Sequence, residues 1–280
     1  ASANDGCVAM AEFLDGSVEN FVEKMNVRAK ELGMENTNFV NTNGLDVENH
    51  YSSAKDVAIM SRELLKHELI FNYTKIWTDS LRNGKFELAN TNKLIRFYDG
   101  ATGLKTGYTS LSGYCMSASA QKNGMELIAV IMAGKTSAER NDDAKALLNY
   151  GFGAYELFTP TVPEFPPVKI IKGKEKEFTP ISDISGGIIV KKGTSKDAEY
   201  KTELCADVKA PVEKGQKLGQ FSVRINGEEV YKNDVFGADI EKLASAVLMR
   251  LFDADGNIAF SSGGLLNHIK NAATNADSIS

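Results

Sequence analysis

All six prolines of this 280-residue chain lie at or beyond position 160: Pro160, Pro163, Pro166, Pro167, Pro180 and Pro211. Proline removes a backbone donor and breaks helix interiors and central strands, so its absence before residue 160 leaves that part free to build both. The crowded run Thr159 to Pro167 reads as a stiff, extended linker and a domain boundary. The chain is long enough for two domains, and its 42% apolar content can supply their cores. We expect one domain over residues 1–158 and a smaller one over 159–238.

Periodicity in the first part predicts helices, then strands, then a helix. Asp5 to Leu14 reads as a short helix. Ser17 caps a second, with Val18, Phe21, Val22, Met25, Ala29 and Leu32 on one face and Gly33 as its stop. Asn36 to Gly44 is loop-like. Ser53-Ala54-Lys55-Asp56 matches a capping box, followed by Val57, Met60 and Leu64 at helical spacing. Asn83-Gly84 and Asn123-Gly124 each mark a hairpin. Ser137 to Tyr150 reads as a helix, with Ala144, Leu147 and Leu148 inward and Gly151 as its end. This order predicts an α+β fold, an antiparallel sheet with helices packed on it.

Beyond the linker come short strand-like runs, Ile188 to Lys191, Glu199 to Leu204 and Leu218 to Val223, and an Asn226-Gly227 hairpin ending at Tyr231. They predict a small all-β module for spacing or protein contact. Over 239–252, Ile240, Leu243, Ala244, Val247, Leu248, Leu251 and Phe252 fall on one helical stripe. That stripe could lie on a membrane surface, or dock on its own domain or a partner. Residues 253–280 are small and polar and read as disordered.

Composition excludes several classes. A net charge of -5 without a basic cluster argues against nucleic acid as a partner. Cys7, Cys115 and Cys205 are scattered and odd in number, so neither a zinc site nor a disulfide framework is indicated. His50, His67 and His268 each read as a lone surface histidine. No metal or other cofactor is expected. No apolar run reaches the length of a membrane span.

Chemistry concentrates in one stretch. Lys105-Thr106-Gly107 sets a cation, a hydroxyl and a residue without a side chain in succession. On an extended chain Lys105 and Gly107 face one way and Thr106 the other. Lys105 offers a fixed positive charge, Thr106 a hydroxyl for a carboxylate, and Gly107 room for a substrate backbone. Three residues alone arise by chance, and a strand edge before a Gly-rich turn would explain them. Ser2-Ala3-Asn4 shifts that balance, because S-x-N accompanies K-T-G in penicillin-binding proteins and class A β-lactamases.

The surroundings extend the match. Asn36 to Arg62, Asp99 to Ala120 and Leu147 to Phe152 closely resemble the low-molecular-mass D-alanyl-D-alanine carboxypeptidases of the serine peptidase type. Ala210 to Gly219 resembles their small C-terminal domain. The resemblance implies a β-lactamase/transpeptidase-like fold. It also implies a serine that attacks the carbonyl between two D-alanines of a peptidoglycan stem peptide, forming an acyl-enzyme that water releases. By motif, Ser2 would relay a proton to the leaving amine and Asn4 would bind the acyl part. Lys105 would set the field, with Thr106 on the substrate carboxylate, Gly107 beneath the substrate and the Tyr108 N–H in the oxyanion hole. β-Lactams should bind as mimics of the D-Ala-D-Ala end. Export to the cell envelope, at the outer face of the cytoplasmic membrane, follows from the resemblance alone.

One departure stands out. The family places its nucleophile and base, S-x-x-K, well before S-x-N, and this sequence begins at S-x-N. The S-x-x-K at Ser52-Ser53-Ala54-Lys55 is explained by the helix cap. We therefore expect a fragment that is inactive alone. A β-lactamase, a transpeptidase and a non-catalytic peptidoglycan binder remain as alternatives.

Overall fold

The structure, a computed structural model, describes residues 2–237 apart from 173–175, 185, 211 and 214. The stripe expected over 239–252 and the tail over 253–280 lie outside the described residues. The chain divides into two compact units, residues 1–157 with 189–193, and residues 158–188 with 194 onward.

The first unit is α+β. Helix α1 (Asn4–Asp15) follows directly from Ser2 and Ala3, and α2 (Val18–Glu31) is capped by Ser17 Oγ, which accepts from the Asn20 N–H. Helix α3 (Ala54–Leu64) is capped by Ser53, whose Oγ accepts from the Asp56 N–H at 3.2 Å. The Asp56 carboxylate is only 1% exposed and accepts from the Asn36 N–H and the Thr37 hydroxyl, both at 2.7 Å. Burial raises its pKa, but the bonds from Thr37, Asn36 and Ser53 outweigh that and leave it below the ordinary aspartate value.

A one-turn helix α4 (Phe71–Thr74) leads to the hairpin β1 (Thr78–Leu81) and β2 (Phe86–Ala89), then to the short α5 (Leu94–Phe97). Strands β3 (Ala101–Thr109), β4 (Gly113–Lys122) and β5 (Met125–Gly134) form an antiparallel sheet in that order. Its core joins Leu94, Met116, Ala118, Ala120, Ala129 and Ile131 to Ala144 and Leu148 of α6 (Ser137–Ala154). The small alanines let the helix lie close to the sheet. Asn123 and Gly124 take positive φ angles of 51° and 76° at the β4–β5 turn, as the sequence predicts.

Two expectations about α6 change. Gly151 does not end it, since the helix continues to Ala154. A Cβ at Gly151 would stand 2.4 Å from Leu127 Cδ1, so the glycine serves contact with the sheet. Leu147 is half exposed, because Ala144 and Leu148 already fill the buried stripe. His50 is also not a bare surface residue. Its Nδ1 accepts from the Val40 and Asn41 N–H groups at 3.1 and 3.4 Å.

Strand β6 (Tyr155–Phe158) continues from α6. The second unit holds β7 (Val168–Ile171) and β8 (Glu177–Phe178), while β9 (Ile188–Lys191) pairs with β6. The sequence assigned the β9 run to the all-β module, but residues 189–193 belong to the first unit. Strands β10 (Ala198–Leu204), β12 (Lys217–Ile225) and β13 (Glu228–Phe236) form an antiparallel sheet. The short β11 (Asp207–Lys209) pairs with β7 in another. Phe221, Val223 and Val235 pack with Phe165, so the proline-rich segment contributes to a core.

Candidate active site

The site is organised along β3, whose two halves differ. In the first half Thr102, Gly103 and Leu104 are buried. Thr74 Oγ1 donates to Thr102 O at 2.6 Å, and Asn92 Nδ2 donates to Gly103 O at 2.8 Å. The Thr102 hydroxyl meets Ser119 Oγ at 2.7 Å and donates to Glu126 Oε1 at 3.0 Å. Beneath the next residue, Ser117, the cross-strand partner of Lys105, shares a buried 2.7 Å hydroxyl contact with Ser61 of α3. The strand is thereby fixed from several elements before it reaches the K-T-G triplet.

In the second half the strand opens to solvent. Lys105, Gly107 and Tyr108 are exposed. Lys105 Nζ donates to Thr106 O at 2.6 Å, so the ammonium folds back over the triplet. Although its side chain is accessible, desolvation by surrounding protein lowers the Lys105 pKa below the ordinary lysine value. The Arg140 charge adds to that lowering and the Cys7 thiol opposes it. The Thr106 hydroxyl lies 2.5 Å from the hydroxyl of Thr91. A Cβ built on Gly107 would meet only Cys115 Cβ, at an ordinary 3.9 Å. The fold does not need a glycine there, and the space over it is free for a ligand backbone.

Arg140, which the sequence did not single out, lies next to Tyr114 beside this open half. It lies in the first turn of α6, which Thr136 Oγ1 caps by accepting from the Glu139 N–H. It is 4% exposed, and no carboxylate among the described residues pairs with it. Its guanidinium bonds Asn141 Oδ1 and Ser137 Oγ and stands 5.9 Å from the centre of the Tyr114 ring. Desolvation lowers its pKa, with Cys115 and Tyr114 acting the other way. A buried arginine held only by neutral groups is a receptive site for an anion. The pattern Glu139-Arg140-Asn141-Asp142 reads as a solvated helix face, so no local signal distinguishes it.

Ser2 and Asn4 are exposed where α1 begins. Lys105, Thr106, Gly107 and Tyr108 are consecutive on the strand, with Tyr108 against Tyr114 at a ring-centre distance of 4.4 Å. Ser52 is elsewhere, its Oγ 2.9 Å from Thr37 Oγ1. No group of metal-ligating side chains occurs among the described residues.

Residues 1–136 match the sequence family described as D-alanyl-D-alanine carboxypeptidase, peptidase S11, and residues 160–242 match the C-terminal domain of penicillin-binding protein 5. The crystal structure of penicillin-binding protein 5 from Haemophilus influenzae is similar with a TM-score of 0.69 at 30% identity, covering 84% of this chain and 70% of that one. The chain belongs to the D-alanyl-D-alanine carboxypeptidase family. It is also 44% identical over 258 residues to the D-alanyl-D-alanine carboxypeptidase DacF of Bacillus subtilis, covering 88% of this chain and 65% of that protein. Penicillin-binding protein D2 from Listeria monocytogenes, in its cefotaxime-bound form, is 35% identical with a TM-score of 0.50, over 54% of this chain and 62% of that one. The chain spans 58% to 65% of the length of the first curated relatives it matches.

Proposed function

We propose that the whole protein is a serine-type D-Ala-D-Ala carboxypeptidase that removes the terminal D-alanine from peptidoglycan stem peptides and is acylated by β-lactams. The observation that carries this reading is the open half of β3, where a partly desolvated lysine, a hydroxyl and an unobstructed glycine follow one another. In this reading the serine nucleophile and its lysine base come from an S-x-x-K element outside the given 280 residues, and Ser52-Ser53-Ala54-Lys55 does not supply them.

In this reading the substrate lies along the free side of Lys105 to Tyr108. Its terminal carboxylate meets the Thr106 hydroxyl and the field of Lys105 and Arg140. Desolvation that disfavours the bare ammonium makes an arriving anion more welcome, since the two charges meet in a medium that screens them poorly. The serine Oγ attacks the carbonyl carbon as the base lysine takes its proton. The Tyr108 N–H and the serine's own N–H hold the oxyanion. Each such donor contributes on the order of a hundredfold in rate. Collapse expels D-alanine, whose amine takes a proton through Ser2, and Asn4 holds the acyl part until water releases it. In this reading the protein works in the cell envelope, outside the cytoplasmic membrane, and the apolar stripe in the sequence of 239–252 is proposed to contact the membrane surface.

The test is labelling of the whole protein with a fluorescent penicillin, alongside product analysis on a peptide ending in D-Ala-D-Ala. Covalent labelling and release of one D-alanine per turnover are expected. Cross-linked dimer would assign a transpeptidase, rapidly opened lactam a β-lactamase, and no reaction a peptidoglycan binder. The 280-residue chain alone should not be labelled. If it is labelled and Ser52→Ala abolishes the label, the motif assignment is wrong.

A further inference from the structure

Thr91 belongs to none of the motifs above, yet its Oγ1 lies 2.5 Å from Thr106 Oγ1. Both of its neighbours are fixed in place. Asn90 Nδ2 donates to the carbonyls of Thr74 and Ile76 at 3.3 and 2.9 Å, and the Asn90 N–H donates to Trp77 O at 2.8 Å. Asn92 is 1% exposed and ties itself to β3 through Gly103 O. The Asn92 N–H donates to Asn90 Oδ1 at 2.9 Å, and Asn92 Oδ1 accepts from the Leu94 N–H at 3.1 Å. An exposed threonine is thus held between two immobilised asparagines and against the triplet.

The proton count gives this contact a direction. Each hydroxyl has one proton, and in a pair of hydroxyls either can donate. A carboxylate can only accept. When Thr106 gives its proton to a carboxylate, its oxygen is left to accept, and the Thr91 hydroxyl is the donor beside it. The two bonds then point the same way, each polarising the other toward the anion. A carboxamide terminus has N–H groups of its own. It can donate to Thr106, whose proton then turns to Thr91, so the pair gives no preference to an amide.

We propose that Thr91 is a positioning residue that orients the Thr106 hydroxyl and thereby makes the site selective for a free C-terminal carboxylate. The inference rests on the function proposed above. It is tested by kcat/KM for a D-Ala-D-Ala peptide and its C-terminal amide, on the whole protein and its Thr91→Val and Thr91→Ser variants. Thr91→Val should lower the acid-over-amide ratio by up to about tenfold, the upper end of what one neutral hydrogen bond contributes. Thr91→Ser retains the hydroxyl and should hold the ratio within about twofold. Should the valine variant fail to fold, Thr91→Ala reads the same ratio. An unchanged ratio in the hydroxyl-free variants, or an equal fall in Thr91→Ser, overturns the role of Thr91 while leaving the carboxypeptidase reading intact. A wild type that cleaves the terminal residue from neither peptide overturns both.

Discussion

The two halves of β3 share one strand and have opposite surroundings. Thr102 to Leu104 is buried, and its carbonyls and hydroxyl are bonded to Thr74, Asn92, Ser119 and Glu126. Lys105 to Tyr108 has few partners, a lysine folded onto its own neighbour, and a glycine with nothing pressing on it. The contrast teaches where stability and binding are separated. The closed half holds the position of the open half, whose lysine and threonine side chains are bonded only to the Thr106 carbonyl and to the exposed Thr91 among the described residues, and can turn to an arriving ligand.

The largest expected effect breaks that contrast at Lys105. Lys105→Ala in the whole protein should cut acylation by fluorescent penicillin by at least ~100-fold, with little change in thermal midpoint. Lys105→Arg keeps the charge but exchanges a compact ammonium for a planar fork, and should restore acylation only in part. A large fall in thermal midpoint for Lys105→Ala would show that the open half carries stability after all.

Asn92→Ala tests the closed half. It leaves Gly103 O and the Leu94 N–H without their buried partner, which should cost about 1–3 kcal/mol in urea unfolding. Unchanged stability would remove the distinction between the halves. Gly107→Ala should stay within about 0.5 kcal/mol of wild type in stability, because its Cβ meets no close atom. It should still impair acylation, because the methyl occupies the substrate's path. Acylation at the wild-type rate would move the substrate off this face.

The smallest effect concerns His50, another ionisable group whose charge is opposed by desolvation, here in a loop and not at the site. Burial lowers its pKa, with Asp46 acting in the other direction. The folded state therefore prefers the neutral ring, which accepts from Val40 and Asn41. Between the folded value and the unfolded 6.5 the unfolded chain binds more protons. The contribution is thus complete above 6.5 and is lost as the pH falls from there through the folded value. Titration by NMR should give a His50 pKa below 6.5, and a value at or above it would contradict this environment.

What the sequence conveys follows the range of the interactions concerned. Ser53 could be read as a cap because its partner, the Asp56 N–H, is three residues away. The hairpin at Asn123-Gly124 is equally local. The strand that carries the K-T-G triplet was legible as a strand. Thr91 was not legible, because Asn90-Thr91-Asn92 has the composition of an ordinary turn and its contact to Thr106 spans fifteen residues. Arg140 becomes distinctive only when the strands at its back bury it without a carboxylate. Gly151 was misread for a related reason, since a glycine near a helix end has the same letter whether it stops the helix or admits Leu127.

The return of β9 to the first unit bears on how this polypeptide could be cut or recombined. A gene split after residue 158 would look natural from the proline-rich stretch that follows. The upstream piece would then lack Ile188–Lys191 and the Lys192 N–H that donates to Ala154 O. Strand β6 would present a bare edge, Tyr-Glu-Leu-Phe, ready to pair with the same edge of another molecule. An excised upstream piece ending there would be prone to self-association, whereas one that carries residues 189–193 along by a short bridging loop would stay monodisperse.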